Sequence, residues 1–476
     1  MNANLLPLTV GGLSLAVSGC YLNKMADNPN IILIMADDLG LNDLGVTGSD
    51  YHETPNLDAL AKESMVFTNA YSSAPNSAPS RACLMSGLYT PRHGVYTVNP
   101  PDRGVDSKRK YIAIANNDTL EPKFKTIAEE LKDNGYKNCH IGKWHLGNIE
   151  DKTDPLNRGF DINIGGTHAG APQSHFFPYA GDAGSAERYP GLEKGTDNEY
   201  LTDRLTDEAI RFIKNARLKK QPFFLNLSYF AVHYPIQAPE DLVEKYNNKP
   251  KGTYHKDPIY AAMTESLDTN VGRILDVIKK SGLDENTVII FTSDNGGAEP
   301  TTDNYQVRGG KGEPYEGGTR VPLFIRWAGK IQSGTTCDMP VSNIDFYPTF
   351  CAFAGIKPSQ AVDGLDLSKI LQGEKAPTDR TLFWHFPAYL ESYTNNGQDF
   401  RAYPYTSVRK GDWKLIRVHE TDTSELYNLK EDPLETTNLA AGNTEKTLEM
   451  EDLLFGWIEE VDAPIPSEPN PDYIPQ

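Results

Sequence analysis

The chain has 476 residues, and its 38% hydrophobic and 23% charged content, with 39 glycines and 33 prolines, is that of a folded, loop-rich protein and excludes a disordered or fibrous one. Against 46 basic side chains stand 65 acidic ones, a net charge of −19, which excludes general nucleic-acid binding through a broad basic face and speaks mildly against an anionic substrate. At roughly 100–200 residues per domain the length allows several domains, or one large α/β domain with an appendage.

The first nineteen residues carry no charge, and the apolar run ends in Ser18-Gly19-Cys20. It is too short to span a membrane, which takes about 20 apolar residues, and it fits a secretory signal with a small-residue cleavage site. The Gly-Cys ending resembles a bacterial lipoprotein signal and would make Cys20 a lipidated first residue, although the Met1-Asn2-Ala3-Asn4 start lacks the usual Lys or Arg. The chain is thus expected to be exported, as a periplasmic or outer-membrane-anchored lipoprotein. Cys83, Cys139, Cys337 and Cys351 show no metal-ligand spacing.

Beyond the signal, strand-like runs alternate with helical patterns, which predicts an α/β sheet covered by helices. Residues 30–35, 137–141, 222–228 and 287–292 read as buried strands, the second more weakly. Helices are predicted over 54–64, 205–216 and 260–281, where apolar residues recur at i, i+3 and i+4. From about Pro377 the pattern changes to short alternating strands, 381–385 and 412–418, with a polar Asn- and Tyr-rich loop between them. Residues 426–429 follow, then a helix over 444–461 and a tail in which five of the last fifteen residues are proline. The expected organisation is a signal over 1–20, a catalytic domain over 28–376, and a small antiparallel α+β subdomain over 377–476.

In an open α/β sheet, sites form beyond the carboxyl ends of strands. Asp37-Asp38 follows the first strand, Gly142-Lys143-Trp144-His145 the second, His233-Tyr234-Pro235 the third, and Ser293-Asp294-Asn295-Gly296 the fourth. Asp37, Asp38, Asp294 and Asn295 are hard oxygen donors, suited to Ca²⁺ or Mg²⁺ rather than to zinc. In Ser77-Ala78-Pro79-Ser80-Arg81, Pro79 suits the first turn of a helix, placing Ser77 at or just before its N-cap, where backbone N–H groups favour an anion.

The run from Ser77 to Gly87 resembles the signature of type I sulfatases, members of the alkaline-phosphatase-like superfamily. Asp37-Asp38-Leu39-Gly40, Gly142-Lys143-Trp144-His145-Leu146-Gly147, His233 with Pro235, Ser293-Asp294-Asn295-Gly296 and Arg308-Gly309-Gly310-Lys311 resemble that family's other motifs in the same order. The resemblance implies a large mixed β-sheet sandwiched by helices, and hydrolysis of sulfate esters. It implies oxidation of Ser77 to Cα-formylglycine, whose hydrated form attacks sulfur with one hydroxyl and expels sulfate after deprotonation of the other. Ca²⁺ would be bound by Asp37, Asp38, Asp294 and Asn295 and would contact the modified Ser77. Arg81 would orient the diol, Lys143 and Lys311 would hold sulfate oxygens, His145 would assist deprotonation, and His233 would protonate the leaving oxygen. A serine in place of cysteine implies maturation by a radical S-adenosylmethionine enzyme.

Export and broad loops favour a sulfated carbohydrate, acted on in exo fashion, with a galactose- or N-acetylgalactosamine-type sugar as the first candidate. His168, His175 and His385, which sit among aromatic and polar residues, are the expected substrate contacts. A phosphatase of the same superfamily is the nearest rival, but Lys143, His145 and Lys311 stand where its second metal would need ligands. A catalytically silent sulfoglycan-binding lipoprotein is the alternative of another class.

Overall fold

A computed structural model describes residues 28–179, 189–393 and 398–475. The expected signal segment and Cys20 lie outside the described residues. The central sheet has eight strands: β1 (Asn30–Ala36), β2 (Met65–Phe67), β3 (Lys137–Gly142), β4 (Ile162–Ile164), β5 (Phe223–Ser228), β6 (Thr287–Ser293), β7 (Leu323–Trp327) and β8 (Thr335–Cys337). Their spatial order is β4-β3-β5-β1-β6-β7-β2-β8. Five strands from β4 to β6 run parallel, and β7 is antiparallel to both its neighbours, so the sheet is mixed.

Every residue of β1 is buried, which is why it reads as an unbroken apolar run. Ile31, Leu33 and Met35 face a core shared with helices α2 (Ser77–Ser86), α3 (Ile127–Asp133) and α6 (Phe346–Phe353). Ile32 and Ile34 face the opposite core, shared with α1 (Pro55–Lys62), α4 (Leu201–Lys219) and α5 (Pro258–Lys280). The predicted helices are present; α4 is longer than the periodicity suggested because its first turn begins at Leu201, after Tyr200.

Register positions the site. Met35 pairs with Ser228 and Thr292, Ala36 with Ser293, and Gly142 with Ser228. The carboxyl ends of β1, β3, β5 and β6 therefore finish level, and the polar residues that follow emerge along one edge. Gly142 has φ +95°, and a Cβ there would lie 1.9 Å from the Ser228 carbonyl oxygen, so only glycine lets β3 leave the sheet so close to β5.

The C-terminal part forms a second, antiparallel sheet of β9 (Thr381–Phe386), β10 (Tyr405–Lys410), β11 (Trp413–Val418) and β12 (Thr423–Asn428), in that order. Helix α7 (Thr444–Glu460) covers one face, with Met450 and Leu454 on Val408, Leu415 and Leu426. The other face meets the main body, where the Trp384 indole N–H donates to the Ser72 carbonyl at 2.8 Å. The proline-rich tail packs on the surface: Ile112 N donates to the Glu468 carbonyl, and Ile474 N to that of Ser107, each at 2.9 Å. Cys83, Cys139, Cys337 and Cys351 are buried free thiols. Among the described residues no helix is long and apolar enough to cross a membrane.

Candidate active site

Ser77 is the first residue of α2, after an extended Asn76. The helix thus starts earlier than expected, with Asn76 and not Ser77 as its N-cap, and the Asn76 side chain donates to Thr97 Oγ1 at 2.9 Å and does not cap the first turn. Ser77 is buried, with Oγ 3.3 Å from Asp37 Oδ1, 3.2 Å from Asn295 Oδ1, and 3.1 Å from the Lys143 ammonium that donates to it. A hydroxyl carries one proton, so it can donate to only one of the two acceptors at a time.

Around it the strand-end residues converge. Asp37 accepts from Lys143 Nζ at 2.9 and 2.8 Å. Asp38 accepts from Asn295 Nδ2 and from Lys311 Nζ, each at 2.8 Å. Asp294 accepts from Arg81 Nε and Nη2 at 3.0 and 2.8 Å, while Arg81 Nη1 donates to the Lys143 carbonyl at 2.9 Å. Arg81 thus ties α2 to both β3 and β6. Asp38 and His145 adopt left-handed backbone at φ 61° and 63°, a conformation costly for residues with a side chain and concentrated at functional sites.

Burial, with the neighbouring Asp294 and Asp38 charges, pushes the Asp37 carboxyl up to about 8 against the pull of Lys143 and Arg81. Burial likewise lowers Lys143, opposed by Asp37. Burial acts against ionisation of Asp38 as well, but Lys311 and His233 outweigh it. At Asp294 it is Arg81, Lys143 and Lys311 that outweigh burial. His145 is driven well below its ordinary value by burial and then by Lys143 and Arg81, which keeps its ring neutral. Its Nδ1 has no hydrogen-bond partner among the described residues. His233 donates from Nδ1 to the Tyr234 carbonyl at 2.7 Å, so its Nε2, 3.5 Å from Asp38 Oδ2, is the nitrogen free to exchange a proton. Burial and Lys311 lower it to about 3.

Three carboxylates, a carboxamide and a hydroxyl that face one another are a hard-donor set of the kind Ca²⁺ takes, and the residues present fit such an ion. Asp37, Asp38 and His233 also form one compact group of ligand atoms. A second compact group, Asp43, His52 and His255, lies by a larger cleft of about 680 Å³. It is satisfied internally: the Asp43 carboxylate accepts from Gly40 N, Tyr260 and Thr302, and His52 and His255 bond the carbonyls of Asp43 and Asp303. It reads as a structural network.

Ser77, Lys143, His145, His233 and Lys311 line one cavity of about 340 Å³. His168 is exposed, its ring 6.2 Å from that of His145. The expectation for the other two histidines is corrected. His175 is buried behind the cavity and hydrogen-bonds the His233 carbonyl at 3.0 Å through Nε2, so it supports the His233 turn. His385 is buried on β9, with its ring nitrogens against Thr406 Oγ1 at 2.8 Å and the Pro464 carbonyl at 3.1 Å. Arg103, Tyr393 and Arg401, which also line the cavity, were not anticipated. Arg103 and Tyr393 sit in irregular segments and Arg401 on a short strand, Phe400–Ala402, and none of the three carries a local chemical signature; the Asn- and Tyr-rich composition around Tyr393 was the one available hint.

The motif order, the donor cluster and the buried serine at a helix start all match one family, and the profile of that family, sulfatase, covers residues 29–356. The chain belongs to the sulfatase family. It is a type I sulfatase of the alkaline-phosphatase-like superfamily, a sulfuric ester hydrolase. The profile of the N-sulphoglucosamine sulphohydrolase C-terminal region matches residues 311–456. The sulfatase is 35% identical to a sulfatase of Formosa agariphila, with 92% of this chain and 90% of that one aligned. It is 33% identical to the N-acetylgalactosamine-6-sulfatase of Mus musculus, over 82% of this chain and 77% of that one. Among solved structures, Ps i-CgsB superposes with a TM-score of 0.76 at 31% identity, over 93% of this chain and 94% of that one, and it has also been solved with k-i-k-neocarrahexaose.

Proposed function

We propose that this sulfatase removes sulfate from saccharides in exo fashion, with a formylglycine made from Ser77 as its nucleophile and one Ca²⁺ held by Asp37, Asp38, Asp294 and Asn295. The observation that carries the reading is Ser77 Oγ itself, buried at the start of α2 within 3.3 Å of Asp37, Asn295 and Lys143, in a cavity that also holds His145 and His233.

An unmodified serine attacking sulfur would end as a stable sulfate ester, whereas the hydrated aldehyde supplies a diol that can release it. Ca²⁺ would supply positive charge for the diol and the sulfate. The chain's own residues do the rest. With a divalent ion on the carboxylates, the Lys143 and Lys311 ammonium groups are freed from Asp37 and Asp38 to meet an anion in the cavity. Arg81 keeps Asp294 and the Lys143 backbone in place. Neutral His145 can accept a proton, as release of sulfate requires. His233 must donate one to the leaving oxygen. A negative ester beside Nε2 would favour the protonated ring. Lys143, His145 and Lys311 stand where a second metal would need ligands in a phosphatase, which speaks against that rival.

Sulfated galactose or N-acetylgalactosamine saccharides are the proposed substrates, in keeping with the N-acetylgalactosamine-6-sulfatase relative and with Ps i-CgsB bound to a neocarrahexaose. Maturation by a radical S-adenosylmethionine enzyme, and export with Cys20 lipidated, belong to the same proposal; palmitate labelling lost in Cys20→Ala would support the anchor. The deciding experiment is co-expression with such a maturase, sulfate release from a panel of sulfated mono- and disaccharides, and mass spectrometry of the Ser77 peptide. Full activity with unmodified Ser77 would sink the nucleophile. Phosphate release exceeding sulfate release on matched esters, or two zinc ions per chain, would favour the phosphatase.

A further inference from the structure

Two arginines in the catalytic cavity have no part in the chemistry above. Arg103, from a loop, and Arg401, from the short strand Phe400–Ala402, lie almost 300 residues apart in sequence and line the same cavity as Ser77 and Lys311. The Arg401 guanidinium lies over the Tyr393 ring, 3.4 Å from its centroid, which fixes the plane of the fork. Among the described residues, the buried Nε and Nη1 of Arg401 and the buried Nε of Arg103 have no hydrogen-bond partner. That Arg103 Nε faces Glu391 Oε2 at 3.6 Å, an ion pair too long for a hydrogen bond. Buried guanidinium N–H donors without a hydrogen-bond acceptor cost about 1–3 kcal/mol each or more. Such a pair is retained where something else supplies the acceptors.

The surroundings are shaped to the Arg401 side chain. Gly312, next to Lys311, has φ +89°, and a Cβ there would lie 3.0 Å from Arg401 Nε and 2.6 Å from Leu390 Cδ1. The loop that carries Lys311 is therefore bare where Arg401 crosses it. Arg401 feels the repulsion of Arg103 and the attraction of Glu391, Glu313 and Asp38. Burial and the repulsion of Arg103 lower Arg401 to about 10, which leaves it charged at neutral pH. Arg401 also borders a neighbouring cavity of about 470 Å³ with Tyr315, Tyr403 and Tyr405 on its walls.

We propose that Arg103 and Arg401 form a second anion subsite, which selects saccharides carrying another anionic group, a sulfate or a carboxylate, beside the sulfate ester that is cleaved. The inference rests on the reading of the Ser77 cavity as the sulfate-ester site. A planar fork held flat on an aromatic ring suits two-pronged recognition of such oxyanions. Its place between the two cavities puts this second charge at the junction of the reacting ring and the adjoining one.

The test uses the matured enzyme and three probes: N-acetylgalactosamine 6-sulfate, N-acetylgalactosamine 4,6-disulfate, and the 6-sulfated chondroitin disaccharide, which adds a carboxylate. The quantity read is the ratio of kcat/KM for each doubly charged probe to that for the first. Within one preparation this ratio is independent of the fraction of enzyme that is folded and matured. At least one ratio is expected to exceed 10 in the unmodified sequence, to fall at least tenfold in R401Q and in R103Q, and to fall less in R401K. A raised ratio for the disulfate assigns the subsite to sulfate, and one for the disaccharide assigns it to carboxylate. Ratios near 1, or ratios unchanged in both glutamine variants, would overturn the subsite while leaving the sulfatase reading intact. No sulfate release from any probe or from the wider panel would overturn the underlying reading, and the subsite with it.

Discussion

Ser77 is surrounded by groups whose charges are balanced only in combination, and single substitutions should expose this. Ser77→Ala removes the precursor of the nucleophile and should bring sulfate release to background with little change in melting temperature, because the hydroxyl is not a required link in the core. A melting temperature lowered by many degrees would mean that Ser77 is structural. Glu313 offers a different handle. Burial, and then the charge of Glu299, raise its carboxyl from 4.5 to about 7. The folded state therefore holds this proton more tightly than the unfolded chain. Its contribution to stability is fully present below about pH 4.5 and is lost as pH rises through about 7. Glu313→Gln removes that loss and should flatten the fall in stability across this interval, by on the order of 1–3 kcal/mol at pH 8. Denaturant unfolding at pH 5 and pH 8 would measure it, and an equal effect at both values would dispose of the argument.

At the scale of elements, the strand ends and one buried ion cluster are the critical joints. Gly142→Ala places a methyl against the Ser228 carbonyl at a left-handed φ, so β3 must move away from β5. The strain should cost at least about 2 kcal/mol. Because Lys143 is the next residue, kcat/KM should also fall, roughly a hundredfold for a displacement near 1 Å. Unchanged kinetics in a destabilised variant would show that Lys143 is positioned by other contacts. The second joint lies between the two sheets. Lys414 on β11 is buried between Glu316, at 3.1 Å, and Glu435, at 2.9 Å, and Glu435 also accepts from the Glu316 backbone N–H at 2.8 Å. Lys414→Met takes the nearest cation from two buried carboxylates, leaving Glu316 with the more distant Arg320 at 3.7 Å, and should cost about 3–5 kcal/mol. The triple replacement by Met, Gln and Gln should recover most of that. Failure of the triple to recover would shift the explanation from charge to packing.

For the whole molecule, the sequence was most readable where one residue type does one job. The largely apolar runs of β1, β5 and β6 disclosed a doubly covered sheet, and the polar residues after them disclosed its active edge, because parallel strands finish level. The short strands β2, β4 and β8, three residues each, were invisible, since three residues carry no periodicity. His385 misled because a polar residue beside Trp384 looks the same whether it faces a sugar or a buried hydroxyl. Arg103 and Arg401 gave no local sign at all, because their meaning comes from a loop and a short strand that meet only in the folded chain.

The net charge of −19 is likewise resolved at this scale. The catalytic cavity gathers Arg103, Lys143, Lys311 and Arg401, so an acidic protein still presents a local positive site to an anion. Behind that cavity three buried aspartates face one another, and the permanently charged partners among the described residues are Arg81, Lys143 and Lys311. A divalent cation there binds the folded chain and not the unfolded one, since Asp37 and Asp294 lie 257 residues apart in sequence. At a hundredfold excess over its dissociation constant it should add about 2.7 kcal/mol. Spread over the unfolding entropy of a chain this long, that is a rise in melting temperature of roughly 2–4 °C. EDTA-treated enzyme should therefore melt lower and recover with Ca²⁺, less with Mg²⁺, and Asn295→Ala should shrink the shift. The same melting temperature with EDTA and with millimolar Ca²⁺ would show that the lysines and Arg81 alone balance the aspartates, and the assignment of the ion to this cluster would fall.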